Sequence, residues 1–560
     1  MSPSRPNIAR CQMLEKMRMV LNRNVTMAEH PDLLARVYGE RSGFMVEEPL
    51  PYSMFPPGTA YVDFNEWNRF THRIANVLHD RLGVRRGDRV AIVPMNGVEV
   101  PAAIMAVMKL GAIAVPMNYM LRGNEIKYIV EDSGAKVLIT DPEVFGNNIR
   151  DRSLLPAVER WVMAGIAGEA PEGFESLDLL LSDAPDRFPP VDVGMDDVVG
   201  IFYTSGTTGF PKGAMVTSRG LLSTQKKAAA MLPLGMKDFG VLALPLAHIF
   251  GFAIAIMGSC AGVGGCVVRR FDPHKVLALI EKHHATLFVG VPAMYAFLLA
   301  CNPEEYDLTS LRLLGSSADA MPPEHIRRLQ ELASRKGLFG TRKPLFAEAY
   351  GMVELTGLAA LKPALRRLDW PPGCVGIPVP PVRARVADAG GKRVKTGEVG
   401  ELLVRGPGVT KGYWNNPVAT KQSMVGRWFR TGDMARKDRW GRIFFVDRVK
   451  DVIKCGGYSV FSVEVEEEIL GHPDVEEAAV IAVPHRAMGE VPLAVVCLKD
   501  GAGASEEELV AWCAENIASY KAPRHVRVIP WEEMPYGMTL KIMKRELRDR
   551  FVDEFLRTGS

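Results

Sequence analysis

A multi-domain α/β protein is the fold the sequence predicts: a large N-terminal domain of layered α/β subdomains with a β-rich part, and a small α+β C-terminal domain. Three observations carry this. The 560 residues exceed what one core organises. Over roughly the first half, hydrophobic periodicity switches repeatedly between 3.6 and 2, the pattern of helices layered on largely parallel strands. From about residue 373 the pattern changes to short alternating strands separated by turn residues.

Taken in order, "FNEWNRFTHRIANVLHDRL" (64–82) has helical spacing, and "GVRRGDRVAIVPMN" is a turn running into a short apolar strand. "VPAAIMAVMKLGAIAVPMN" (100–118) reads as helix, glycine stop and strand, and the alternation returns near 196–217, 237–247, 262–268 and 285–290. "GCVGIPVPPVRARVADAGGKRVKTGEVGELLVRGPG" is β-rich. After "GRIFFVDRVKDVIKCGGYSV", strands such as "EAAVIAVP" and "PLAVVCLK" alternate with helices such as "SEEELVAWCAENI". The expected division is 1–447 and 448–560, with the boundary near Asp447–Lys450.

A net charge of +3, from 68 basic and 65 acidic side chains, argues against a broad nucleic-acid-binding face. The N-terminus has no apolar core followed by a small-residue cleavage site, so no secretory signal is expected. "HIFGFAIAIMGSCAGVGGCVV" (248–268) is long enough to raise a membrane question, but its glycines and histidine favour a buried helix entering a strand. Eight scattered cysteines show no zinc or redox spacing, which fits a reducing cytoplasm. A homodimer is left open.

The most informative stretch is "YTSGTTGFPKGAM" (203–215). It is not a Walker loop, because Lys212 follows Pro211 and precedes Gly213. Its chemistry still suits phosphate: glycines let backbone N–H groups approach an anion, hydroxyls add donors and Lys212 adds charge. The loop resembles the phosphate-binding signature of the adenylate-forming superfamily, which includes acyl-CoA synthetases, peptide-synthetase adenylation domains and beetle luciferases. The resemblance covers nearly the whole chain. "LGVRRGDRVAI", "PLAHIFG", "LLGSSADAMPPE", "AYGMVE", "GELLVRGPGVTKGYW", "WFRTGD", "VDRVKDVIKCGGYSV" and "KIMKRELR" occur in the family's order.

That resemblance implies two half-reactions. A carboxylate attacks the α-phosphate of ATP, giving an acyl-adenylate and pyrophosphate; a thiol, here expected to be that of coenzyme A, then displaces AMP. Cations and aligned donors must offset the repulsion between an anionic nucleophile and a polyanion. The resemblance places Ser205, Thr207, Thr208 and Lys212 at the β- and γ-phosphates, and Thr208 and Glu354 at Mg²⁺. It places Tyr350 on adenine, Asp433 on the ribose hydroxyls and Arg448 on the nucleotide. Thr204, Gly206, Gly209, Ser317, Ala318 and Gly351 complete the nucleotide set. Lys541 is the implied adenylation lysine, bridging carboxylate and α-phosphate. Lys450 is the implied hinge about which a mobile C-terminal domain turns, and Gly456 and Gly457 belong to a pantetheine tunnel. Lys212, Glu354, Lys541 and His248 form the implied catalytic set.

Two departures stand out. Val353 replaces a usual Thr or Ser, a loss of about 1.5–3 kcal/mol if the hydroxyl served a phosphate. Leu540 replaces the glycine before the lysine. Ser316 and Ser317 stand where a Gly-Gly pair is frequent. His248 occupies the position of the aspartate that pairs with an amino-acid substrate, so an α-amino acid is disfavoured. His248, Phe252, Val291, Gly315, Ser316 and Gly351 are the candidate substrate residues. Their apolar surroundings favour a monocarboxylic acid with an aliphatic or aromatic tail, a fatty acid of medium or longer chain being expected. The alternatives are an aryl-acid CoA ligase, a ligase that loads a carrier protein, a luciferase-like enzyme and a degenerate non-catalytic nucleotide- or acyl-binding protein.

Overall fold

The structure is a computed structural model; it describes residues 19, 24–204, 211–337, 340–362, 370–371, 373–456, 458–485, 488–537 and 541–558. Two compact units divide the chain. One comprises Met1–Trp370, Gly376–Arg383 and Arg405–Met424; the other Pro371–Val375, Ala384–Val404 and Val425–Ser560.

In the larger unit, after a short helix (His30–Val37) and two strands (Gly43–Val46 and Tyr61–Asp63), comes a helix whose start is encoded locally. Asp63 accepts the Glu66 N–H at 2.8 Å while Glu66 accepts the Asp63 N–H at 3.1 Å, a reciprocal cap. This starts α1 (Phe64–Asn76), which continues through a π-turn at Val77–Arg81, matching the span expected from periodicity. The chain then alternates β1 (Arg89–Ile92), α2 (Glu99–Lys109), β2 (Ile113–Pro116), β3 (Val137–Thr140) and β4 (Arg160–Met163). β5 (Val198–Thr204) and β6 (Lys212–Thr217) follow. The sheet order is β4-β3-β1-β2-β5-β6, parallel except for the antiparallel last pair.

A second set comprises α3 (Ser218–Met231), β7 (Phe239–Leu242), α4 (Ile249–Cys260), β8 (Gly264–Val267), β9 (Leu287–Gly290), β10 (Leu313–Ser317), β11 (Leu345–Tyr350) and β12 (Ala360–Lys362). Its strand order is β8-β7-β9-β10-β11-β12, parallel until β12 turns back against β11. The apolar stretch 248–268 is thus α4 and β8, with most of its side chains buried, as its glycines indicated. No helix among the described residues is long and apolar enough to cross a membrane. One continuous hydrophobic core joins both sheets to α1–α4.

The second unit carries an antiparallel set β13 (Val399–Arg405), β14 (Trp428–Lys437) and β15 (Ile443–Arg448). After α5 (Ser462–Ile469) come the long hairpin β16 (Val475–His485) and β17 (Gly489–Leu498), α6 (Glu506–Asn516), β18 (His525–Val528) parallel to β17, and α7 (Lys544–Thr558). This part has a core of its own.

Candidate active site

In the larger unit the ends of the candidate phosphate loop are fixed by pairing: Thr204 stands directly opposite Lys212 across β5 and β6. Ser205, Gly206, Thr207, Thr208 and Gly209 lie outside the described residues. The segment 411–414 pairs with β6, Met215 N–H donating to Gly412 O at 3.0 Å and Trp414 N–H to Gly213 O at 2.7 Å. That pairing delivers Tyr413 to Lys212, whose Nζ lies 5.5 Å from the centre of the ring. The Tyr413 hydroxyl donates to Glu354 Oε1 at 2.9 Å. Burial, then the adjacent Glu354 charge and hydrogen bond, raise the Tyr413 pKa well above its ordinary value, so it remains a donor. A cation, a phenol and a buried carboxylate therefore line up across three separate chain segments.

Glu354 sits on a short 3₁₀ turn, Val353–Leu355, whose shape is enforced on both sides. Its carbonyl accepts the Thr410 N–H at 2.7 Å. Thr356 follows in the left-handed region at φ 57°; its hydroxyl donates to Gly408 O and its carbonyl accepts from Gln225 Nε2 at 2.7 Å. Val353 is buried in the core, so the family's hydroxyl position here serves packing. Tyr350 ends β11 beside Gly351, where an added Cβ would lie 1.6 Å from Gly357 O. In the adjacent strand Ser317 donates to Ala349 O at 2.7 Å, and Ala318 follows at φ 81°, a strained conformation for a non-glycine residue.

Beneath these residues lies a cavity of about 110 Å³. Leu287 and Val289 of β9, Gly315 and Ser317 of β10, and Ala347 and Ala349 of β11 form its floor. Phe250, Ala253, Ile254 and Met257 of α4 cover it. No charged side chain among the described residues lines it. His248, Phe252, Val291 and Gly351 of the expected substrate set are not in its lining. Phe252 packs on Phe202 in the core, ring centroids 6.0 Å apart, and Val291 precedes the helix Pro292–Ala300. His248 caps α4, its Nδ1 accepting the Phe250 N–H at 3.2 Å, and burial lowers its pKa to about 4. The imidazole is thus neutral near pH 7, with its proton on Nε2.

In the second unit Asp433 and Arg448 face each other across β14 and β15, and Arg448 Nε lies 2.9 Å from Asp433 Oδ1. Lys450 is exposed in the turn after β15. Just before it, buried Asp447 accepts from Ser462 at the start of α5, and Lys544 Nζ lies 2.8 Å from Ser462 Oγ and 2.6 Å from Glu466 Oε1. Burial pushes the Glu466 carboxyl up to about 7 although Lys544 opposes the shift. Lys541 stands between a β-bridge (Tyr536–Ile542) and its own carbonyl's bond from Gly537 N at 2.8 Å. Gly456 has φ 56° and donates to Met488 O at 2.8 Å; Gly457 and Leu540 lie outside the described residues.

The sequence profile described as AMP-binding enzyme matches residues 46–414, and that described as AMP-binding enzyme C-terminal domain matches 464–536. The chain belongs to the AMP-binding enzyme family. It is similar to a feruloyl-CoA synthase of Amycolatopsis sp (35% identity, covering 88% of this chain and 94% of the relative). It is also similar to the long-chain-fatty-acid–CoA ligase FadD13 of Mycobacterium tuberculosis (32%, 89% and 94%). Among solved structures, ATP-bound MatB from Rhodopseudomonas palustris superposes with a TM-score of 0.80 at 30% identity, covering 94% of this chain and 99% of that one. This member of the AMP-binding family is accordingly an AMP-forming acid–CoA ligase by class, as its motif order implied.

Tyr413 and Gln225 escaped the sequence reading. Tyr413 lies inside the quoted stretch "GELLVRGPGVTKGYW", so a signal was present, but only β6 pairing shows that its hydroxyl reaches Glu354. For Tyr413→Phe, removing a hydrogen bond to a charged group costs about 1.5–3 kcal/mol, and pyrophosphate exchange is expected to fall roughly 10- to 100-fold. Titrating magnesium in that assay checks the cause: the variant should need more Mg²⁺ for half-maximal exchange. An unchanged requirement would separate Tyr413 from the Glu354 role.

Proposed function

We propose that this ligase converts an apolar monocarboxylic acid, with an alkyl or aryl tail, to its coenzyme A thioester through an acyl-adenylate. The observation that carries the reading is the Lys212–Tyr413–Glu354 alignment in the unit that also holds an apolar cavity lined by no charged side chain among the described residues. Such walls leave a substrate ammonium or second carboxylate unpaired, so α-amino acids and dicarboxylates are poor substrates.

Lys212 neutralises the pyrophosphate side of ATP, joined by the hydroxyls of Ser205, Thr207 and Thr208. Glu354 fits Mg²⁺ because the ion takes hard oxygen ligands and commonly uses one or two carboxylates together with substrate phosphates. When bound, the ion neutralises phosphate charge. Tyr413 holds the Glu354 carboxylate in one orientation for that purpose. Tyr350 and Ala318 border adenine. Asp433 binds the ribose hydroxyls, with Arg448 orienting its carboxylate. Lys541 brings carboxylate and α-phosphate together, and rotation at Lys450, with 1–447 and 448–560 as the moving parts, exchanges it for the Gly456–Gly457 face that admits coenzyme A. The cytoplasm is the proposed location, and the free cysteines fit its reducing conditions.

The test uses the full chain with ATP, Mg²⁺ and coenzyme A against fatty, aryl, α-amino and dicarboxylic acids, reading AMP and thioester. Alkyl or aryl monocarboxylates should yield equal amounts of both, at kcat/KM roughly 100-fold above the charged acids. Pyrophosphate exchange without thioester would redirect the acyl group to a carrier protein. Absence of any AMP ester or thioester would refute the reading.

A further inference from the structure

The apolar cavity contains an acceptor whose hydrogen-bonding capacity is unspent. Gln225, on α3, is 1% exposed and lies in the cavity wall. Its Nε2 donates to Thr356 O at 2.7 Å. That bond fixes the amide's orientation, because the flipped form would set two carbonyl oxygens face to face. Gln225 Oε1 is then left buried with no hydrogen-bond partner among the described residues.

Two other polar side chains of the wall are satisfied. Ser259 donates to Ile256 O at 2.9 Å and Ser317 to Ala349 O at 2.7 Å. Ser316 also lines the cavity and its Oγ lacks a partner among the described residues, but a hydroxyl can donate as well as accept, whereas Gln225 Oε1 can only accept. Ser223 and Thr224 are unpartnered neighbours of Gln225 but lie outside the wall.

A buried acceptor that accepts nothing is costly to the protein unless a ligand completes it. A site built to hydrogen-bond a substrate hydroxyl also rejects the analogue that lacks it far more strongly than an apolar wall distinguishes one methylene. We infer that Gln225 selects acids whose apolar body bears a hydroxyl group, the O–H donating to Oε1 while Thr356 O holds the amide in place. This deepens the ligase reading and rests on it. The hydroxyl can stand on an alkyl chain or an aryl ring, and the measurement separates the two.

The experiment uses the full-length protein with two sets of acids: hydroxycinnamic acids against cinnamic acid, and hydroxydecanoic acids against decanoic acid. In at least one set, kcat/KM for thioester formation should favour a hydroxylated member roughly 10- to 100-fold. In Gln225→Met that ratio should fall to about 1, whereas a merely structural role would lower both members equally and preserve it. Ratios near 1 in both sets with the unaltered protein, a result that needs no variant to fold, would overturn the inference. So would a preserved ratio in the variant. Acid binding followed by calorimetry separates the two levels: preferential binding of a hydroxylated acid without thioester would refute the ligase reading and uphold Gln225. Thioester without preference would refute Gln225 alone.

Discussion

Lys541→Ala is expected to slow acyl-adenylate formation by roughly 100- to 1,000-fold, the scale of removing one positioned group that meets developing charge. Thioester formation from preformed acyl-adenylate should change by only a few-fold. The asymmetry follows from where charge repulsion arises: an anionic acid must approach a polyphosphate in the first half-reaction, while a thiol meets an already activated ester in the second. The substitution is also a clean one. The surrounding loop is tied by main-chain bonds, from Gly537 N to Lys541 O at 2.8 Å and from Met543 N to Pro535 O at 2.7 Å, and alanine retains both. Pyrophosphate exchange and single-turnover thiolysis measure the two steps separately. Equal losses in both would contradict the role given to Lys541.

Gly351→Ala should be as damaging for a different reason. The added Cβ would lie 1.6 Å from Gly357 O and 3.0 Å from Leu358 Cα, both main-chain atoms that no rotamer change can move. Gly357 is itself at φ 95°, and Gln225 and Thr356 brace the same turn. Relief therefore requires displacing the turn between Tyr350 and Glu354. Overpacking of this kind costs about 1–3 kcal/mol or more, and exchange activity should drop more than 100-fold because both residues shift together. Calorimetric melting and pyrophosphate exchange on the same preparation check it; full activity with an unchanged melting temperature would mean that the turn accommodates the methyl group.

Much of this was legible in the sequence. Periodicity located α1, α2 and α4, and the ordered motifs singled out Lys212 and Glu354, which Tyr413 links, and Asp433 and Arg448. Asp433 and Arg448 also prove to be cross-strand partners, which strand spacing alone would not have paired. The departures from expectation have a common origin. Phe252 lies in an apolar stretch in which nearly every residue is hydrophobic, so sequence cannot tell the face of α4 that meets the core from the face that meets the cavity. Its neighbours Phe250, Ala253 and Ile254 take the cavity side. Tyr413 and Gln225 act through partners brought near by sheet pairing and helix packing, and such proximity leaves no local pattern.

Glycines of one cavity wall respond oppositely to a single added methyl group. At Gly240 and Gly258, both in the wall, a Cβ would meet its nearest neighbours at 3.8 and 3.7 Å, ordinary van der Waals contact. At Gly357, also in the wall, it would meet Ala253 Cβ at 2.8 Å on a backbone already left-handed. Alanine at Gly240 or Gly258 would therefore narrow the cavity by one carbon without forcing the backbone to move, whereas at Gly264, where the nearest atom is Gly43 O at 2.9 Å, or at Gly357 a neighbour must give way.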